Sequence, residues 1–170
     1  MTWPDRLLKW IEPEDNPRNT VYGTIAAGLV IAAEDPATAT YPRIIEATVV
    51  AVATYWVAHG YAHWVAERFR RGAAPESARL APGFLNALLH EWPLTEGAAV
   101  PLTALLIAWA ADAPLTAAET AAVSTAAAAL ALFELAGGLR RRLRPLQLLA
   151  NAAVGLLLGA GLFAVKNLLH

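Results

Sequence analysis

The chain has 170 residues, 57% of them hydrophobic and 16% charged, against about 45–50% and about 25% in an ordinary soluble domain. Four to six helical spans of about 20 residues each would use nearly all of it, which leaves no room for a soluble catalytic domain. The net charge of −1 lacks the basic excess that nucleic-acid binding needs, and the absence of cysteine excludes disulfides, thiolate metal sites and thiol nucleophiles.

Met1–Asn19 is charged and proline-punctuated, and reads as a cytoplasmic segment ahead of a membrane domain over residues 20–170. The apolar run after it has no A-x-A-like end, so no cleaved signal peptide is expected. That run, Thr20–Ala33, is the first predicted span; its fourteen residues would also suit a re-entrant or buried helix. Ile44–Ala66 is the second, rich in Val, Ala and aromatics. Pro82-Gly83 then opens a stretch with Phe84, Leu85, Leu88, Leu89 and Trp92 on one helical face and Asn86 and His90 on another. This predicts an interfacial helix on the cytoplasmic leaflet; the alternative is one helix that continues through Pro93 with a kink. Leu94–Ala111 is the third span, bent near Gly97 by Pro101. Leu115–Ala136 and Leu146–Leu169 are the fourth and fifth. The expected fold is an all-α polytopic membrane helix bundle of about five transmembrane helices plus one short interfacial helix.

The basic residues favour alternate loops. Arg6, Lys9 and Arg18 precede the first span, Arg68, Arg70, Arg71 and Arg79 follow the second, and Arg140, Arg141, Arg142 and Arg144 follow the fourth. Only Arg43 and Lys166 fall on the other side. The positive-inside rule then predicts a multi-pass plasma-membrane protein with its N-terminus cytoplasmic and its C-terminus outside. Without the short first span, Arg6–Arg18 and Arg68–Arg79 would lie on opposite faces, so the charges favour keeping it. Gly155/Gly159, Gly23/Ala27 and Thr24/Gly28 form small-residue faces for close helix approach in lipid. They fit packing within the chain, or a homo-oligomer seam through Gly155/Gly159 or Gly23/Gly28.

Chemistry concentrates in the second span, where Tyr55, His59, His63 and Glu67 recur every fourth residue and so share one helix face. His90, Glu91 and Glu96 lie at the same leaflet on the next element. Ionisable groups at membrane depth are costly and normally face a bundle interior or a wet cavity. One reading is a proton or small-cation pathway through Tyr55, His59, His63, Glu67, His90 and Glu96, because imidazole titrates near neutrality. A second is a metal or haem held by His59 and His63, which lie four residues apart on one face, with His90 or a carboxylate completing the shell. A third is interhelical hydrogen bonding alone, in a non-catalytic structural or assembly protein. The His-x3-His spacing lacks the internal Glu of a zinc protease helix, and no nucleotide-binding loop or nucleophile elbow occurs, so no enzyme activity is indicated. Glu46 is expected to pair with Arg43 or Lys166, and Glu134 with the Arg140–Arg142 cluster.

Ala58-His59-Gly60-Tyr61-Ala62-His63, Glu91-Trp92-Pro93 and the closing Ala164-Val165-Lys166-Asn167-Leu168-Leu169-His170 resemble a group of small multi-pass integral membrane proteins of actinobacteria. The resemblance covers most of the chain. It implies bacterial origin and membrane placement, and carries no activity, ligand or site with it.

Overall fold

The structure, a computed structural model, describes residues 17–35, 37–70 and 80–169. Six helices carry these residues: α1 (Pro17–Ala33), α2 (Tyr41–Arg70), α3 (Leu80–His90), α4 (Pro93–Ala110), α5 (Leu115–Arg140) and α6 (Pro145–Leu169). There is no strand among the described residues. The five long helices run alternately up and down. At one end Asn19 meets Glu91, His63 meets His90, and Gly138 meets Leu148. At the other, the Tyr41 hydroxyl donates to the Ala113 carbonyl at 2.8 Å and Lys166 meets Glu119. The first of these, the histidine end, also carries Arg18, Arg68, Arg70, Arg140, Arg141, Arg142 and Arg144, while Arg43 and Lys166 lie at the opposite end.

Two matching turns set that alternation. After α4, Ala113 N–H donates to Ala108 and Asp112 N–H to Trp109; after α5, Leu143 N–H donates to Gly138 and Arg142 N–H to Leu139. This bond pair closes a helix when the residue past the cap is left-handed, and Asp112 and Arg142 both have φ of 52°. Pro114 and Pro145 follow, and neither can continue the preceding helix.

Small residues make the core thin and close. Ala118, Ala122, Ala126 and Ala129 of α5 are buried, and Gly155 and Gly159 of α6 press against Leu130, Ala131 and Ala127. Gly28 fits between Leu162 and Ala126. At the α1–α4 crossing the glycines are reciprocal: a Cβ on Gly23 would collide with the Leu94 carbonyl, and one on Gly97 with the Thr20 carbonyl. Backbone therefore rests on backbone there, as small residues permit between helices in lipid. The faces read from sequence as a homo-oligomer seam, Gly155/Gly159 and Gly23/Gly28, are occupied within the chain.

Pro101 orphans one carbonyl, and a neighbouring helix places a hydroxyl beside it. Pro101 has no N–H for Gly97, four residues earlier; the Thr24 hydroxyl of α1 stands 3.0 Å from that carbonyl oxygen. Between α2 and α3, Trp56 Nε1 donates to the Leu88 carbonyl at 2.9 Å, which also accepts the Glu91 N–H at 3.1 Å. Trp92 keeps a helical backbone (φ −54°, ψ −37°) between α3 and α4. Along α2, Trp56 meets Trp92, Gly60 meets Leu88 and Trp64 meets Phe84. That reversed order runs α3 antiparallel beside the second half of α2. The expected alternative, one helix bent at Pro93, describes this backbone better than a separate helix lying across the bundle.

Three helices, Pro93–Ala110, Leu115–Arg140 and Pro145–Leu168, are long and apolar enough to cross a membrane. α1 and α2 are not among them. α1 has 17 residues, and α2, though 30 residues long, carries His59, His63 and Glu67 in its second half and Arg43 and Glu46 near its start. Exposed apolar side chains such as Ile107, Leu146, Leu149 and Leu157 give the bundle the surface that contact with lipid requires.

Candidate functional site

Glu91 is the centre of the polar chemistry. Its position follows from Pro93, which ends the helical hydrogen bonding and leaves Glu91 in the turn between α3 and α4. The side chain is 7% exposed, and a carboxylate taken from water loses several kcal/mol of hydration unless other groups replace it. Among the described residues, three groups lie against it. The Asn19 amide of α1 donates to Oε2. His59 Nδ1 lies 3.7 Å from the same oxygen, and His63 Nδ1 lies 3.2 Å from Oε1. Asn19 reaches Glu91 because the Gly23–Gly97 crossing brings the start of α1 onto the start of α4.

Around the acid the rings are layered. The His63 and His90 ring centroids are 4.7 Å apart, Tyr55 and His59 4.4 Å, and Tyr22 stands edge-on to His59 at 5.9 Å. Arg18 donates to the Tyr22 hydroxyl at 3.2 Å and lies over its ring. His59 and His63 are about one-third exposed and His90 is exposed, so the imidazoles stand between the buried acid and the surface. One ligand atom each from His63, His90 and Glu91 lie within 4.8 Å of one another.

Of the sequence-predicted residues, Tyr55, His59, His63 and His90 come together here. Glu67 is turned to Arg70, with which it forms an ion pair. Glu96 is exposed, and five residues along a helix place it about 140° around the axis from Glu91. Of the expected metal donors, His63 and His90 converge with a carboxylate, that of Glu91, while His59 faces the other carboxylate oxygen. Asn19 and Tyr22 were not expected. Asn19 sits at the end of a stretch that reads as a tail, yet helix α1 already begins at Pro17.

A second buried acid lies at the opposite end. Glu119 of α5 is fully buried, with Lys166 Nζ of α6 at 3.4 Å; the ammonium also donates to Thr120 Oγ1 at 3.1 Å. Lys166 thus pairs with Glu119, and Arg43 with Glu34 at 3.5 Å; Glu46, expected to take one of these cations, is exposed. Comparison with known proteins gives no match, either to a family model, to a curated protein or to a solved structure.

Proposed function

We propose that this is a five-span membrane protein that takes up and passes a small cation at Glu91, with His59, His63 and His90 forming the entrance. The observation that carries the reading is a buried carboxylate whose direct partners are an amide and two imidazoles, with the Arg18 guanidinium acting on it only through space. A helix of 17 residues spans about 25 Å and one of 30 residues about 45 Å. Against a hydrocarbon core of about 30 Å, α1 crosses by thinning the bilayer slightly, and α2, about 15 Å longer than the core, crosses with its polar last third in the headgroup region. Trp56, Tyr61, Trp64 and Trp92 then mark that interface, and α3 extends beside α2 instead of entering the core.

The basic residues at the histidine end favour that end as cytoplasmic, which makes the N-terminus internal and the C-terminus external. The membrane placement that the actinobacterial resemblance implies agrees with this, and the proposal places the protein in the bacterial plasma membrane. Transport also suits a carboxylate set at the mouth of the bundle, where a cation exchanges hydration water for protein oxygen and nitrogen. Reconstitution into proteoliposomes tests the reading. Wild-type protein is expected to carry one of protons, alkali cations or divalent cations down an imposed gradient, and Glu91→Gln to abolish that flux. Absence of flux for every cation in the wild type would contradict it.

A further inference from the structure

We infer that His63, His90 and Glu91 form a binding site for a divalent transition-metal ion of the zinc, cobalt or nickel class. The inference rests on the cation-handling reading and names the cation. Two imidazoles and one carboxylate are a donor set that suits these borderline ions, whereas calcium and magnesium favour shells of oxygen. Three protein donors leave a coordination position for water or an exchanging ligand, the arrangement of open zinc sites.

The geometry of Glu91 adds a second observation. Asn19 and His59 both face Oε2, while Oε1 faces His63. One carboxylate oxygen is thus held from behind and the other is turned toward the histidine pair, and such orienting bonds fix the carboxylates that bind metals. Tetrahedral donors at about 2.0–2.2 Å from an ion stand about 3.5 Å apart. The three donors lie within 4.8 Å of one another, so closure about an ion needs shifts of about 1 Å in side chains that are partly exposed. Metal binding also answers the electrostatics: a divalent ion turns a buried negative site into one with net charge of +1, and exposed His90 gives the ion a way in.

The test uses the full chain in detergent, purified without a polyhistidine tag and stripped with chelator. Equilibrium dialysis against zinc is expected to give one ion per chain, and cobalt is expected to give the visible absorption of a four- or five-coordinate ion. His90→Ala removes an exposed ligand and leaves helix content unchanged by circular dichroism; its zinc affinity should fall by more than 100-fold. Asn19→Ala and His59→Ala should each weaken binding by about 10–100-fold, as loss of orienting partners does. Wild-type binding no tighter than that of a His63→Ala/His90→Ala double variant would overturn the inference. Proton or alkali-cation flux that survives chelation, with no zinc bound, would overturn it and leave the transport reading standing. Bound zinc without flux of any cation would support the site and overturn the transport reading.

Discussion

Among the described residues, the two ends of this bundle bury one carboxylate each and satisfy it in different ways. Glu119 is sealed in the interior and matched by Lys166, an amine whose own side chain is only 15% exposed. Glu91 is nearly as deep but is matched by an amide and imidazoles, with His59 and His63 about one-third exposed. A permanent ammonium makes a closed structural pair between α5 and α6. At Glu91 the direct partners are an amide and imidazoles, and Arg18 acts on it only through space, so no lysine or arginine closes onto the carboxylate as Lys166 closes onto Glu119. Burial alone therefore does not distinguish a structural acid from a functional one; the identity and exposure of its partners do.

Breaking the closed end should have the largest effect. Lys166→Met leaves the Glu119 carboxylate without its ammonium partner and should cost about 3–5 kcal/mol, read by unfolding in mixed micelles. Glu119→Leu with Lys166→Met replaces both members by apolar groups and should recover most of that loss. The open end should respond differently. Glu91→Gln is expected to stop cation flux while stability moves by about 1 kcal/mol or less, because its neighbours can hydrogen-bond an amide. Replacing His59 and His63 together with Gln should also remove flux, with a stability loss of at most about 2 kcal/mol. Thr24→Val, which withdraws the donor from the Gly97 carbonyl, should cost about 1 kcal/mol, measured by the same unfolding assay. Glu96→Gln, at an exposed position, should change neither stability nor flux.

The helices were legible because long apolar runs, charged gaps and prolines are local signals. Leu115–Ala136 and Leu146–Leu169 grew only at one end each, to Arg140 and back to Pro145. The four-residue spacing of Tyr55, His59 and His63 likewise fixed one face before any neighbour was known. Sequence placed Glu91 at the depth of this face but did not single it out as the acid that the face meets. Glu91 stands beside a helix-breaking proline and reads as a boundary residue; only the backbone contact of Gly23 with Leu94 and of Gly97 with Thr20 delivers Asn19 to it. The pairing of Lys166 with Glu119 was hidden for the same reason, since the tight contact of Gly155 and Gly159 with α5 decides which side chains share a depth. Glu67 continued the stripe in sequence but had Arg70 one turn away, a local partner at the polar end of the same helix.

The most direct measurement sets the two acids against each other in one flux assay. Glu91→Gln and the Glu119→Leu/Lys166→Met double variant would be reconstituted at equal density in proteoliposomes beside the wild type. The account predicts that the first is silent and that the second carries its cation at the wild-type rate. Equal flux through Glu91→Gln and wild type, or loss of flux in the Glu119 variant alone, would contradict it.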